Sequence, residues 1–161
     1  MLTQTELKRQ LHYSPETGIF TRLVSTNRRI KVGDIAGSKH PTGYMQISIN
    51  KNTYRSHRLA WLYVHGTFPK KEIDHINGVK DSNWILNLRE ANNQQNKFNR
   101  GAYKNNTTGF KGVCVRGNRW RAQARLNGKM QYLGYFTTPE LASQVYQAFA
   151  INNHAEFLHA Y

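Results

Sequence analysis

The stretch EIDHINGVKDSNWILNLREANNQQNKFN, residues 72–99, gathers one Asp–His pair and seven asparagines. Two chemistries use that set. Carboxamides and acids cap turns and helices by accepting backbone N–H groups. Alternatively, the carboxylate of Asp74 and the carboxamide oxygen of Asn96 form a sparse ligand set for a hard divalent cation. Mg2+ or Mn2+ prefers such oxygens, and Mg2+ keeps several of its waters. His75, whose imidazole ordinarily titrates near ~6.5, takes a proton from an attacking water near neutral pH. Phosphate oxygens would complete the shell of the cation, so the chemistry that fits is phosphodiester hydrolysis.

The elements around these residues must hold them in place. Ile73–Ile76 reads as a short strand, NGVKDSN as a turn-rich loop and NLREA as a second strand. Neighbours on a strand point to opposite sides, which separates Asp74 from His75. Asn92 then caps a helix with Gln95 as its capping-box partner, placing Asn96 one turn inside. Upstream, Thr3 and Glu6 start a helix with Leu7 and Leu11 on one face. Short strands are predicted at IFTRL, GDIAG and YMQISI, with a hairpin turn at NKN (50–52). Ser56 is predicted to cap the helix HRLAWLYVHG, which Gly66 ends. Within that helix Arg58 is a candidate phosphate contact, and His57 reads first as a packing histidine.

RGAYKNNTTG (100–109) reads as a linker. Beyond it come three strands, KGVCVR, RWRAQARL and MQYLGYF, and a helix from Pro139 with Thr138 as its N-cap. Leu141, Val145 and Phe149 recur every four residues and form the predicted contact stripe of that helix. In RWRAQARL, Trp120, Ala122, Ala124 and Leu126 share one parity, while Arg119, Arg121, Gln123 and Arg125 share the other. One sheet face is therefore apolar and the other strongly basic. A merely solvated face mixes charge signs, because like charges on neighbouring strands repel. Residues 101–139 contain seven lysines and arginines and no acid. Arginine reads guanine edges and grips phosphates, and glutamine reads adenine.

The whole chain carries 23 Lys+Arg against 9 Asp+Glu, a net charge of +14, which makes a polyanion the expected partner. The single cysteine, Cys114, excludes an intrachain disulfide and a Cys-rich zinc site. No apolar run approaches the ~20 residues needed to span a bilayer, so no membrane partner is expected. MLTQTELKRQL lacks the apolar core of a signal peptide. A cytoplasmic location is expected, that of the host cell if the chain is phage-encoded.

Two resemblances sharpen these expectations. IDHINGVKDSNWILNLREANNQQNKFN resembles the HNH endonuclease motif, close to D-H-I-N-G, then D-N-R-x-x-N-L-R, then an Asn-rich helix. Ser82 and Trp84 depart from it, standing where Asp and Arg are frequent. The resemblance implies a ββα-metal finger with Asp74 and Asn96 as metal ligands and His75 as general base. It implies that Asn87 braces the loop and that Asn77 shapes the turn after the histidine. The segment GDIAG to HGTFP is similar to the one preceding such motifs in phage-type endonucleases. TGFKGVCVRGNRWRAQARLNGKMQYLGYFTTPELASQVYQAFA, in turn, resembles an AP2-type DNA-binding domain. That resemblance implies DNA contacts by Lys111, Arg116, Arg121, Gln123, Arg125 and Tyr132.

The expected fold class is α+β. A β-rich region spans 1–55, an HNH finger 56–100, a linker 101–108, and an AP2-like three-stranded antiparallel sheet on one helix 109–161. The expected function is a metal-dependent, homing-type DNA endonuclease leaving a 5′-phosphate and a 3′-hydroxyl, with double-stranded DNA as partner and no small-molecule cofactor. The alternatives are a non-catalytic DNA-binding regulator on the same scaffold and an RNA-binding protein.

Overall fold

The computed structural model of the chain describes residues 1–25, 27–99 and 106–154. It divides into two compact units, Met1–Ala91 and Asn92–Tyr161. Most of the expected 101–108 linker lies outside the described residues. Among those residues, four helices accompany several small antiparallel sheets, a mixed α and β architecture.

The first unit opens with helix α1 (Gln4–Gln10), whose Thr3 and Glu6 close a reciprocal capping box. Strand β1 (Leu11–Tyr13) pairs antiparallel with β2 (Phe20–Arg22). Leu11 thus leaves the helix. It is extended and fully buried opposite Arg22, because strand pairing outweighs one more helical turn. GDIAG forms no strand. The positive φ of Gly33 (90°) and Gly37 (117°) breaks its extended run, and Ile35 makes only an isolated bridge to Thr21. A three-stranded meander follows, β3 (Ser38–Lys39), β4 (Met45–Ile49) and β5 (Asn52–Arg55). Asn50 and Lys51 turn its last hairpin, both at positive φ as a two-residue type I′ loop requires.

Helix α2 (Ser56–His65) starts directly from β5 with Arg55 at the N-cap. Ser56 lies inside the helix, buried, and its Oγ caps nothing. Strands β6 (Glu72–His75) and β7 (Leu88–Ala91) then form a hairpin, joined by a long loop that ends in a 3-10 turn at Ile85–Asn87. One core unites all of this. Leu2, Leu7, Leu11, Tyr13 and Phe20 are buried with Ile47, Leu59, Leu62, Ile73 and Leu88.

The second unit starts with α3 (Asn93–Asn99), preceded by an Asn92–Gln95 capping box in both directions (2.8 and 2.9 Å). Strands β8 (Val113–Arg116), β9 (Arg119–Leu126) and β10 (Lys129–Phe136) make an antiparallel sheet with β9 in the centre. Helix α4 (Pro139–His154) packs on one face of it. The buried stripe of α4 is Ala142, Tyr146 and Ala150, one position on from the predicted Leu141–Val145–Phe149, of which Phe149, half-buried, still packs against this core. Leu141 is 45% exposed. Alanines on both sides, Ala142 and Ala150 against Ala122 and Ala124, let helix and sheet approach closely. Tyr146 covers Gly112 so tightly that a Cβ there would overlap its ring, and Gly112 also has φ +74°.

Candidate nuclease hairpin and basic sheet face

Three buried polar side chains set the β6–β7 hairpin. Asp74 lies cross-strand from Arg89, and its Oδ2 accepts from Arg89 Nε at 2.9 Å and Nη2 at 2.8 Å. Both are largely buried, so this is a charge-assisted pair in a low dielectric rather than a surface bridge. His75 follows on the opposite strand face, 5% exposed. Asn87, 2% exposed, ties the loop from within. Its Oδ1 accepts from the Asn77 backbone N–H (3.0 Å), and its Nδ2 donates to Asn77 Oδ1 (3.0 Å) and to the Ser82 carbonyl (2.7 Å). Asn77 Oδ1 also accepts from Val79 N–H, forming an Asx turn into which Gly78 fits at φ +69°. Replacing Asn87 with Ala strands several of these groups. The expected cost is roughly 2–4 kcal/mol of unfolding free energy, read from urea denaturation of the full chain.

His75 sits in an aromatic and cationic corner. Its ring centroid is 5.1 Å from that of His57, edge on, and 5.9 Å from that of Tyr44. Arg55 and Lys80 both lie over the Tyr44 ring, at 5.5 and 5.1 Å. The sequence marked none of Tyr44, Arg55 or Lys80. His75 Nε2 meets Asn83 Oδ1 at 3.0 Å, and Asn83, likewise unassigned from sequence, is 2% exposed. Burial lowers the His75 pKa, partly offset by the Asn83 hydrogen bond and the Asp74 charge, so the imidazole is neutral near pH 7.

His57 is buried, and its Nδ1 has no hydrogen-bond partner among the described residues. Burial above all, with His75, Arg58 and Arg55 adding repulsion, pushes its pKa down to about 3. The unfolded chain binds a proton at His57 near pH 6.5 and the folded one does not. His57 therefore withdraws stability as pH falls below that value. At about 1.4 kcal/mol per pH unit, this loss reaches roughly 2 kcal/mol at pH 5. Thermal unfolding at pH 7.5 and pH 5 should show that drop for wild type and a smaller one for His57→Phe; equal drops would exclude His57 as the source.

Arg58 donates to the carbonyls of Pro69 (3.2 Å) and Lys71 (3.4 Å), holding the segment that enters β6. Asn96 lies in α3, half-buried, with its backbone N–H on the Asn92 carbonyl at 3.0 Å. Among the described residues no three His, Cys, Asp or Glu side chains come together as a metal cage. The donor chemistry, one carboxylate held in place by Arg89, fits a hard cation that takes few protein ligands and keeps water and phosphate oxygens for the rest.

In the second unit, the β9 residues Arg119, Arg121, Gln123 and Arg125 share one face. Cross-strand from them stand Arg116 and Cys114 on β8 and Met130, Tyr132 and Tyr135 on β10. Tyr132 and Tyr135, three apart, share this face because a bulge intervenes between Tyr132 and Gly134. Of the two, the AP2-type resemblance marked only Tyr132. The two tyrosines are 68% and 55% exposed, and the Arg121 guanidinium lies 5.1 Å from the Tyr132 ring centre. Arg116 faces Arg119 directly, a like-charge pair that an anion would relieve. Lys111 Nζ donates to the Lys97 carbonyl at 3.0 Å, joining α3 to the start of the sheet.

An Asp–His hairpin braced by buried carboxamides thus stands in one chain with a basic sheet face. Residues 54–98 match the model of the HNH endonuclease family. The chain is 32% identical over 119 residues to an uncharacterized HNH endonuclease of Acanthamoeba polyphaga mimivirus, an alignment covering 72% of this chain and 61% of that protein. It is 31% identical over 96 residues to Protein 3.8 of Escherichia phage T7, covering 58% of this chain and 79% of that one. No solved structure matches it significantly. Residues 54–98 thus form an HNH endonuclease domain, and the chain spans under two thirds of the length of the mimivirus relative. Among the described residues no helix is long and apolar enough to cross a membrane.

Proposed function

We propose that the chain is a divalent-metal-dependent DNA endonuclease of the homing type, in which the hairpin unit carries the chemistry and an AP2-like sheet selects the site. The observation that carries this reading is the placement of His75, a buried neutral imidazole next in sequence to a carboxylate fixed by arginine. Asn83 Oδ1 engages His75 Nε2, so the lone pair that takes the proton of the attacking water is on Nδ1. Asp74 would hold the cation, and the motif assigns Asn96 as the second oxygen donor. Bound there, Mg2+ or Mn2+ would polarise the phosphoryl oxygen and stabilise the leaving 3′-oxygen.

Specificity falls to the β8–β10 sheet, because a sparse nuclease hairpin offers few base contacts. The face of Arg116, Arg119, Arg121, Gln123 and Arg125 presents the donors that read guanine and adenine edges in a major groove. Tyr132 supplies apolar area beside them. Lys111 and Arg58 contribute charge near the backbone path while holding their own loops.

The test uses supercoiled plasmid carrying candidate target sequences, incubated with the full chain in Mg2+, Mn2+ or EDTA. Nicked or linear product with metal and none with EDTA is expected. Tight, salt-sensitive binding without cleavage in any metal would instead identify a non-catalytic DNA-binding regulator.

A further inference from the structure

Asn83 is held from both ends. Its Nδ2 donates to the Asp81 carbonyl at 3.2 Å, which turns Oδ1 toward His75. A carboxamide oxygen only accepts, so the contact at Nε2 requires the proton there and selects one imidazole tautomer. The backbone of Asn83 is fixed from 70 residues away. Its carbonyl accepts the Tyr13 hydroxyl at 2.7 Å. Tyr13 is 1% exposed, its ring 4.7 Å from that of Phe20, so this donor belongs to the hydrophobic core. Two residues on, Ile85 N–H donates to the Pro15 carbonyl at 2.9 Å. Gly18, at φ +74°, lies so close to the Asn83–Trp84 peptide that a Cβ would overlap it. The β1–β2 turn, residues 14–19, is therefore seated on the segment that carries Asn83.

We infer that Asn83 is a positioning residue for His75, and that Tyr13 and Gly18 are its support, so the N-terminal hairpin belongs to the catalytic machinery. This rests on the nuclease reading of His75. A base must offer one ring nitrogen to water while the other is held by a partner that fixes ring plane and tautomer. In this chain the partner is a neutral carboxamide. Its dipole stabilises the imidazolium formed during proton abstraction without adding a negative charge where a phosphodiester must approach.

The test reads tautomer and turnover separately. Long-range proton–nitrogen spectra of the full chain labelled with 15N-histidine, at pH 8 without DNA or metal, should show His75 as the Nε2–H form. Asn83→Leu should populate the Nδ1–H form and lower kcat about 10- to 100-fold with KM unchanged, the range seen when a partner orienting a histidine is lost. Asn83→Asp, which still accepts from Nε2–H, should retain the wild-type tautomer and a higher kcat than Asn83→Leu, with KM raised by the negative charge it adds. Where Asn83→Leu fails to fold, Tyr13→Phe serves, removing only the hydroxyl; it should lower kcat several-fold, and unchanged kcat would overturn the supporting role. A wild-type Nδ1–H signal, or a wild-type tautomer and kcat in Asn83→Leu, overturns the positioning role alone. No cleavage by wild type in any divalent metal overturns the nuclease reading, and the inference with it, whatever the tautomer.

Discussion

Replacing His75 with Ala is expected to lower single-turnover cleavage about 10²- to 10⁴-fold while DNA affinity stays within a few-fold of wild type. The magnitude is that of removing a positioned general base. Affinity should survive because the exposed arginines Arg116, Arg119 and Arg125, the proposed DNA contacts, belong to the second unit, and His75 to the first. His75 is 5% exposed and bonded to Asn83, so its loss leaves a cavity and an unpaired carboxamide oxygen. The comparison therefore requires circular dichroism and a thermal midpoint beside the rate. A folded variant that cuts as fast as wild type would remove His75 from the mechanism. Removing metal with EDTA should abolish detectable cleavage by wild type, and the losses from EDTA and from His75→Ala should not add, because the metal and the base act on the same phosphoryl transfer.

The second large effect is on recognition. Arg121→Ala combined with Arg125→Ala should weaken binding to the cognate site by about 100-fold or more, each arginine being worth ~1–3 kcal/mol when it reads a base edge. The slope of log affinity against log salt should flatten by up to roughly 2 where these arginines also neutralise phosphates. Weak nicking of unrelated DNA should persist, since the hairpin unit is untouched. Arg121 and Arg125 stand on the central strand, flanked by Cys114 on one side and by Tyr135 and Met130 on the other, so their loss empties the middle of the face. A double variant with unchanged site affinity would show that the sheet is not the reading surface. A variant that loses site affinity and all nicking together would show instead that the two units are not separable in function.

Asn83 changes how the N-terminal region is understood. Divided by sequence, residues 1–55 read as a β-rich region apart from the finger. In the structure they share one core with the β6–β7 hairpin, and Tyr13 reaches into the loop next to the candidate base. A truncation that removes the first 20 residues should therefore cost both folding and turnover.

What the sequence by itself determined is local. Capping boxes at Thr3–Glu6 and Asn92–Gln95 are legible because donor and acceptor lie three residues apart. The alternation in RWRAQARL yielded the apolar and basic faces, because side chains on a strand change sides at every residue. The strands around Asp74–His75 and Leu88–Arg89 were legible from the motif and its turn residues. The tertiary structure decided everything that depends on which distant side chain arrives. The Tyr13–Asn83 bond spans 70 residues, the His57–His75 contact joins a helix to a strand, and no periodicity encodes either. The bulge in β10 moves Tyr135 onto the basic face, overriding strict alternation. Small alanines, not the larger Leu141 and Val145, face the sheet, because the separation of two packed elements is set by both surfaces at once. Burial completes the division. In the sequence His57 and His75 look like any other histidine, and only burial in the folded core pushes their pKa values down.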